Sequence, residues 1–334
     1  MRCPICQSDK TKKLYDLRKI SGKEYDLLKC KNCSVKFLYP LPSTAHQKKY
    51  YNDPLYQESK YFVHMKRDYK GSREYKIFER GVNLIEKMLA GGNGDRIISD
   101  SKVSPGVDVS EARRKVLDVG CSSGVFLDMM RTKGWDVAGV ELCGEFVKLA
   151  RELFGLENIF NGTLEEARFE DESFDLITMW DLVEHVPDPS SLLLEAERIL
   201  KPTGLLLILT PDENSLIKYL TNMSYRITLG HFRLPVSVIY DEHHLFYFNL
   251  RSLDYALKNA GLRLTTRMKE STALDRILGP DSDHWLKKKK LMTAAIRFLF
   301  SLSKVFGLQN KLLVIVQKKQ LKLTLESNVF EILL

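Results

Sequence analysis

Short apolar runs alternate with stretches of helical spacing through most of the chain after residue 113. The runs have the length and composition of buried strands, and they lie at residues 115–119, 135–141, 158–161, 174–180, 205–211, 262–268 and 311–316. Apolar residues recur with helical periodicity between them, at residues 125–130, 145–154, 194–200 and 253–260. This alternation of strands and helices predicts an α/β domain.

The first of these strands runs into a turn of small residues and then into a helix. Asp118 stands near the carboxyl end of the strand, and Gly120 and Gly124 allow the backbone to turn sharply beneath a ligand. A strand–turn–helix of this kind points backbone N–H groups at a ligand, although a glycine-rich turn without a ligand is the alternative. Ser122 stands where a dinucleotide-binding loop carries glycine. Glu141 ends the next strand, about twenty residues on, where an acid can bind ribose hydroxyls.

Four motifs in sequence order resemble those of the class I S-adenosylmethionine-dependent methyltransferases, over residues 113 to about 270. Residues 118–124 match the family's D/E-x-G-x-G-x-G loop except at its second glycine, and Glu141 matches the ribose acid. Residues 174–189 match the fourth-strand motif, and residues 194–211 match the helix and strand that follow it. The resemblance implies a Rossmann-like, seven-stranded methyltransferase sheet with helices on both faces, and S-adenosyl-L-methionine as the cofactor.

The resemblance also implies a set of cofactor contacts. These are Asp118, Gly120, Cys121, Ser122, Gly124, Glu141, Leu142, Thr163, Leu164 and Trp180. Thr163 lies in the turn that borders the adenine in this family, where an acid often binds the adenine amino group. The fourth strand lacks the [D/N]-P-P-[Y/F] motif of enzymes that methylate planar amino nitrogens, which argues against adenine or glutamine as the acceptor.

Four candidate catalytic residues follow two of the strands. His185 could act as a general base, because its ordinary pKa lies near neutral pH, or it could position the next helix. Tyr240, Glu242 and His243 match a Y-x-E-H segment of zinc-ribbon sugar C-methyltransferases, in which such residues handle the proton of the acceptor. The alternative is a buried polar network that holds this part of the chain closed. If the acceptor carries a proton, methyl transfer requires a base.

The amino-terminal residues carry two C-x2-C pairs. Cys3 and Cys6 form the first pair, and Cys30 and Cys33 form the second. Four thiolates suit tetrahedral Zn²⁺, and the sequence between the pairs alternates like short strands, so we expect a structural zinc ribbon. Four unligated surface cysteines are the alternative. The other two cysteines, at positions 121 and 143, are expected to be small packing residues.

The motifs divide the chain into four parts. We expect a zinc ribbon at 1–40, a helical lead-in and flexible linker at 41–112, a methyltransferase domain at 113–320 with insertions at 212–248 and 274–308, and a tail at 321–334. Within the lead-in, the tyrosine-rich residues 41–70 are either a lid over the active site or connecting structure, and residues 72–90 have helical spacing.

The positive charge is concentrated near the carboxyl end. The net charge is +8, and residues 284–325 carry ten lysines and arginines without an acid, so the remainder sums to −2. A basic run followed by an amphipathic helix either contacts an anionic membrane surface or packs on the domain with a solvated lysine face. No apolar run reaches the length of a membrane span, and the first residues lack a secretory signal. We expect a cytoplasmic protein, with the inner membrane face as a peripheral location.

These features favour methyl transfer to a small-molecule acceptor, namely a sugar, a nucleotide-sugar or a lipid-linked intermediate of surface-polymer or secondary metabolism. One alternative is an RNA methyltransferase that uses the ribbon and the basic segment to contact phosphates. The apolar character of the basic segment and the mixed charges of the ribbon disfavour nucleic acid. Another alternative is a non-catalytic scaffold that keeps the fold. The sequence leaves the oligomeric state open.

Overall fold

The computed structural model describes residues 1–53, 73–91, 113–240, 243–271 and 290–319. Several predicted features lie wholly or mostly outside these ranges: Glu242, the linker at 92–112, the first part of the 274–308 insertion and the tail at 321–334. The helices within the described ranges are α1 Leu17–Ser21, α2 Thr44–Tyr51, α3 Arg73–Gly91, α4 Val125–Thr132, α5 Gly144–Phe154, α6 Leu164–Ala167, α7 Pro189–Ile199, α8 Leu216–Ile227, α9 Leu234–Ile239, α10 Leu250–Asn259 and α11 Lys290–Val305.

A seven-stranded sheet forms the centre of the molecule. Its strands are β4 Lys115–Val119, β5 Asp136–Glu141, β6 Ile159–Asn161, β7 Phe174–Trp180, β8 Leu200–Pro211, β10 Leu262–Glu270 and β11 Lys311–Lys318. Their order is β10-β11-β8-β7-β4-β5-β6. The strands from β8 to β6 are parallel, and β10 and β11 are antiparallel to their neighbours. The predicted Rossmann-like methyltransferase sheet is therefore confirmed.

Both faces of this sheet are covered, as its continuous apolar strands require. Adjacent strand residues alternate between two cores: Leu117 and Ile177 belong to one, and Val116 and Leu176 to the other. Helices α7 and α10 contribute to the first core, whereas α3 and α4 contribute to the second. Because β4 to β8 pair in parallel, their carboxyl ends lie at one edge of the sheet, where ligands bind in such folds.

Several element boundaries differ from the sequence prediction, two of them for a clear local reason. The fifth parallel strand was expected at 205–211 but begins at Leu200, because Leu200 already pairs with Phe174 ahead of a register shift. The helix expected at 253–260 begins at Leu250, since Asn249 and Ser252 form a capping box there. Local hydrogen bonding at these ends outweighs the apolar pattern.

A second, four-stranded antiparallel sheet carries the cysteine pairs. It contains β1 Thr11–Asp16, β2 Asp26–Cys30, β3 Lys36–Tyr39 and β9 Phe246–Tyr247, in that order. The last strand comes from the 212–248 insertion, and Phe37 pairs with Phe246 across the junction. Side chains of the first forty residues also share one core with the large sheet. The amino-terminal sheet is therefore built into the rest of the molecule through the insertion.

None of the helices in the described ranges combines the length and the apolarity needed to cross a membrane.

Candidate functional site

The loop after β4 adopts the sharp turn that its small residues predict. Gly120 and Gly124 have φ values of +74° and +80°, in the left-handed region that favours glycine. A Cβ atom at Gly120 would lie 2.9 Å from Leu182 Cδ1, and one at Gly124 would lie 2.5 Å from Leu156 Cδ1. Gly124 is also the N-cap of α4. Both glycines are therefore needed for the backbone path and for close packing.

Ser122, which departs from the family's glycine pattern, also lies in the left-handed region, with φ +50°. That conformation costs a non-glycine residue roughly 1–2 kcal/mol. Its backbone N–H donates to Glu141 Oε2 at 2.8 Å, which helps to stabilise the turn. The Ser122 hydroxyl is buried and has no hydrogen-bond partner in the part of the chain that the structure describes. A buried hydroxyl of this kind fits a ligand-binding loop.

Glu141 ties the loop to the next strand. Parallel pairing of β4 with β5 brings Glu141 beside the turn, where it is 8% exposed. Its other oxygen, Oε1, accepts the Cys143 N–H at 2.8 Å. Burial raises the pKa of Glu141, while these backbone N–H groups counteract the shift. The carboxylate thus lies where the sequence predicts a ribose contact, and it also orders the loop.

Asp118 is buried beneath the same loop. Thr178 Oγ1 on β7 donates to Asp118 Oδ1 at 2.6 Å. Burial raises the pKa of Asp118 to about 8, with a smaller upward contribution from Glu141, whereas the Thr178 hydrogen bond lowers it. Asp118 is therefore largely protonated at neutral pH in the ligand-free protein, and a cation bound beside it would favour ionisation.

This pKa makes the stability of the ligand-free protein depend on pH. Because the pKa of Asp118 rises from 3.8 to about 8 on folding, the folded state holds this proton more tightly, and stability falls as the pH rises toward 8. Asp118→Asn has no ionisable group at this position, so its stability should lack this dependence on pH. Its free energy of unfolding relative to the wild type is therefore expected to increase by at least about 1.4 kcal/mol from mildly acidic to alkaline pH. Thermal unfolding of variant and wild type at a mildly acidic and at an alkaline pH measures this increase. The control is Asp136→Asn, which alters an exposed aspartate. An equal offset at both pH values would contradict it.

Two further predicted cofactor contacts have structural roles of their own. Thr163 is the N-cap of α6 and forms a capping box with Glu166, so its hydroxyl is already engaged. The Trp180 ring packs in the core against Phe78 and Phe126, at centroid distances of 4.8 and 5.3 Å. Contact of Thr163 and Trp180 with a cofactor stays a prediction. Of the other predicted contacts, Leu164 and Cys121 are buried, and the carbonyl of Leu142 accepts hydrogen bonds from neighbouring side chains.

A histidine–carboxylate cluster follows β7. His185 Nε2 lies 3.9 Å from Glu184 Oε1, and the His185 and His244 rings are 4.7 Å apart. His185 Nδ1 lies 2.6 Å from the carbonyl oxygen of His243, so Nδ1 carries a proton, and in the neutral ring Nε2 is the basic nitrogen. Nε2 is therefore the atom that could accept a proton.

Glu184 and His244 were not among the predicted site residues, although both are adjacent to one that was. Glu184 is buried and accepts a hydrogen bond from Thr210 Oγ1 at 2.9 Å. Burial and nearby Asp181 raise the pKa of Glu184 to about 7, while His244 and Lys311 lower it. Ligand atoms of Glu184, His185 and His244 all lie within 4.8 Å of one another, a spacing that suits proton transfer and that is also found among metal ligands.

Helix α2 crosses the same edge of the sheet through polar contacts. Gln47 donates to the carbonyl oxygen of His185, and Lys48 forms an ion pair with Glu166. The Tyr50 hydroxyl lies 2.7 Å from His243 Nδ1, and Asn52 accepts the Gly144 N–H at 3.1 Å. None of the α2 residues is buried. These contacts place α2 beside the loops at this edge, and a lid or connecting structure for residues 41–70 stays a prediction.

Tyr240 lies in a buried polar network between the insertion and the amino-terminal sheet. Its hydroxyl donates to Glu213 Oε1 and accepts from Lys36 Nζ, each at 2.9 Å, and Lys36 forms an ion pair with Glu213. The side chain has no exposed surface, and its pKa is raised by burial first and then by Glu213. This arrangement matches the alternative interpretation of the segment, a network that holds the insertion closed. His243, in contrast, is exposed beside α2.

The four amino-terminal cysteines converge although they come from two distant pairs. The Sγ atoms of Cys3 and Cys33 are 3.6 Å apart, those of Cys6 and Cys30 are 3.4 Å apart, and all four lie within 4.8 Å of one another. In a tetrahedral site with Zn–S bonds of about 2.3 Å, the sulfur atoms are about 3.8 Å apart. The donor set and its spacing therefore fit a four-coordinate structural Zn²⁺.

Comparison with known proteins agrees with this geometry. A family model described as "Methyltransferase domain" matches residues 98–267, which is about half of the chain. The ubiquinone biosynthesis O-methyltransferase of Xanthomonas oryzae pv. oryzae is 39% identical over 114 residues, covering 32% of this chain and 46% of the relative. The enzyme of the same name from Photobacterium profundum is 32% identical over 108 residues, covering 30% and 46%. The chain spans about half the length of the curated relatives it matches.

Two solved structures are similar in fold. A SAM-dependent methyltransferase from Archaeoglobus fulgidus has a TM-score of 0.44 at 17% identity, covering 77% of this chain and all of that chain. A S-adenosylmethionine-dependent methyltransferase from Mesorhizobium loti has a TM-score of 0.41 at 15% identity, covering 62% and 91%.

Proposed function

This chain belongs to the methyltransferase-domain family as a class I S-adenosylmethionine-dependent enzyme, and we propose that it methylates a hydroxyl group of a small molecule. The acceptor would be a sugar, a nucleotide-sugar or a lipid-linked intermediate of surface-polymer or secondary metabolism. The observation that carries the proposal is the placement of His185 after β7, at the edge that also holds Glu141, with its Nδ1 at the carbonyl oxygen of His243 and its Nε2 3.9 Å from Glu184 Oε1. The O-methyltransferase names of two partial relatives support oxygen as the methylated atom.

The residues around the loop after β4 would bind and orient the cofactor. When bound, S-adenosylmethionine supplies a methyl group activated by its sulfonium. Glu141 is placed to accept hydrogen bonds from ribose hydroxyls, and the buried Ser122 hydroxyl can join them. Ionised Asp118 would favour the cationic end of the ligand. Orientation of this kind can lower a reaction barrier by roughly 7–11 kcal/mol.

His185 would accept the proton of the acceptor hydroxyl at Nε2. Its Nδ1–H is directed at the carbonyl oxygen of His243, which fixes the ring, and Glu184 lies close enough to stabilise the imidazolium that forms. Gln47 on α2 donates to the backbone of the same histidine, so the lid would close over the base. A second contact from α2 is the hydrogen bond between the Tyr50 hydroxyl and the ring of His243. Exclusion of water strengthens these interactions.

Removal of the base is expected to slow methyl transfer without weakening the cofactor. For His185→Gln we expect kcat to fall by about 10²–10⁴-fold, because glutamine cannot accept the proton. The dissociation constant for S-adenosylmethionine should stay unchanged. Matched His231→Gln, which alters an exposed histidine of the α8–α9 connection, should keep the wild-type kcat. Wild-type turnover in His185→Gln would refute this role.

We also propose that Cys3, Cys6, Cys30 and Cys33 hold a structural zinc ion and that residues 284–325 contact an anionic membrane surface. All four ligand positions of the ion would be filled by thiolates, which leaves no open position for catalysis. Contact with the membrane would place the protein at the inner face as a peripheral protein and would bring it close to a lipid-linked acceptor.

The acceptor class can be tested with labelled cofactor. Purified protein and S-adenosylmethionine carrying a labelled methyl group are incubated separately with sugar nucleotides, lipid-linked sugars, phenols and ribosomal RNA. We expect label in a small-molecule hydroxyl. Label in RNA, with strong dependence on salt, would instead establish the RNA methyltransferase alternative. Cofactor binding without transfer to any acceptor would favour the scaffold.

A further inference from the structure

Exposed apolar side chains are concentrated in two segments of the molecule. Among the described residues, fifteen large apolar side chains are exposed, and ten of them lie within residues 219–238 and 298–306. Ile227, Leu229 and Leu234 of the first segment are 73%, 86% and 66% exposed. Phe298, Val305 and Phe306 of the second are 65%, 78% and 64% exposed. Such clustering is unusual for a surface that faces only water.

The two segments are neighbours in the fold, and each presents an apolar face. Tyr219, Met223 and Ile227 recur every four residues and therefore share one face of α8. Phe298 and Val305 are seven residues apart and share one face of α11. Helix α8 packs against both α9 and α11. The backbone N–H of Leu216, at the start of α8, donates to the carbonyl oxygen of Leu308, just beyond α11, at 2.9 Å.

The two segments and the residues that flank them carry cations and no acids. Residues 214–240 and 285–325 contain no aspartate or glutamate. Arg226 and Arg233 are exposed in the first segment, and Arg297 and Lys304 are exposed in the second. Arg297 and Lys304 directly precede Phe298 and Val305, so they flank the apolar face of α11. Apolar side chains edged by cations are complementary to the surface of an anionic bilayer.

We propose that α8, α9 and α11 together form a docking surface for anionic phospholipid membranes. The exposed apolar side chains would enter the interfacial region of the bilayer, and the four cations would contact lipid phosphates. This surface extends the membrane contact proposed above for residues 284–325 to α8 and α9, to which the sequence assigned no such role. It does not depend on which acceptor is methylated.

Charge argues against a second copy of the chain as the occupant. A twofold interface brings the same patch of two copies together. Arg226, Arg233, Arg297 and Lys304 would then face the same cations of the other copy, and neither segment offers a carboxylate to pair with them. Anionic lipids supply the missing counter-charge. The experiment must therefore distinguish self-association through this surface from binding to lipid.

The test is co-sedimentation of the full chain with phosphatidylcholine vesicles, with and without phosphatidylglycerol. We expect sedimentation only with phosphatidylglycerol, and weaker binding at high salt. Arg297→Glu combined with Lys304→Glu should lower the vesicle affinity by at least about tenfold. The control, Lys148→Glu combined with Arg151→Glu on another surface, lowers the net charge by the same amount and should bind as the wild type does.

A second pair of variants separates apolar insertion from simple charge attraction. Ile227→Ser combined with Leu229→Ser should also lower the vesicle affinity by at least about tenfold. Leu153→Ser combined with Leu194→Ser removes two exposed leucines elsewhere and should leave it unchanged. Unaltered calorimetric binding of S-adenosylmethionine verifies that each variant folds, and it tests the methyltransferase proposal separately. Three outcomes would overturn the docking surface: no sedimentation of the wild type, equal sedimentation of all variants, or a dimer by light scattering that only Ile227→Ser/Leu229→Ser dissociates and that does not bind vesicles.

Discussion

Glu141→Ala is expected to weaken S-adenosylmethionine binding by at least about 100-fold. The variant would lose charge-assisted hydrogen bonds to the ribose, each contributing roughly 1.5–3 kcal/mol. It would also release the backbone N–H groups of Ser122 and Cys143, which the carboxylate holds at 2.8 Å. The loop after β4 would then be held only by its backbone hydrogen bonds, such as those from Gly120 and Cys121 to the carbonyl oxygen of Val140. Isothermal titration of the purified variant with S-adenosylmethionine measures the loss.

The control for this variant is Glu152→Ala, which removes an exposed carboxylate from α5. It should bind the cofactor with wild-type affinity. Circular dichroism should report the same fold for both variants, because the hydrogen bonds of the Glu141 carboxylate go to backbone N–H groups of the loop after β4 and of the residues that follow β5. Unchanged affinity of Glu141→Ala would show that the ribose is not bound at the end of β5.

Cys3→Ser is expected to eliminate zinc binding and to destabilise the amino-terminal sheet. Apparent binding free energies of structural zinc are about 10–16 kcal/mol in zinc-finger peptides, so loss of one thiolate outweighs most point substitutions. The effect should reach the insertion, since β3 pairs with β9 and Lys36 forms an ion pair with Glu213. Elemental analysis of the purified variant would show no bound zinc, and the thermal unfolding midpoint would fall.

Cys143→Ser is a suitable control for the zinc measurement. Cys143 is fully buried like Cys3, but it lies at the start of α5 and outside the cysteine cluster. Its variant should retain one zinc per chain. Retention of one equivalent by Cys3→Ser would mean that the cluster does not hold the ion as proposed.

The parts of the fold that local patterns determine were predictable from sequence. The strand at Lys115–Val119 lies where its apolar run predicts, and Asp118 and Glu141 reach the same loop because parallel neighbours end at one edge. The convergence of Cys3, Cys6, Cys30 and Cys33 follows from two C-x2-C turns on short antiparallel strands. In each case a few adjacent residues carry the information.

The parts that depend on distant contacts were not predictable. Phe246 and Tyr247 form a two-residue strand that completes the amino-terminal sheet, and nothing in so short a segment indicates its partner, more than two hundred residues away. Helix α2 has a polar sequence and no buried residue, so no apolar pattern indicates where it lies. Its position depends on hydrogen bonds of individual side chains such as Gln47 and Tyr50. The burial of Tyr240 likewise depends on a lysine from β3.

Calorimetric titration of the full chain with S-adenosylmethionine shows whether the loop after β4 and Glu141 form a cofactor site. Binding at the carboxyl edge of β4 and β5 predicts one site per chain, with a dissociation constant in about the micromolar range. Protonated Asp118 should release its proton as the cationic ligand binds, so the affinity should rise from neutral to alkaline pH. A folded protein that gives no binding heat at any of these pH values, and that binds no cofactor in equilibrium dialysis, would show that this edge of the sheet is not an S-adenosylmethionine site.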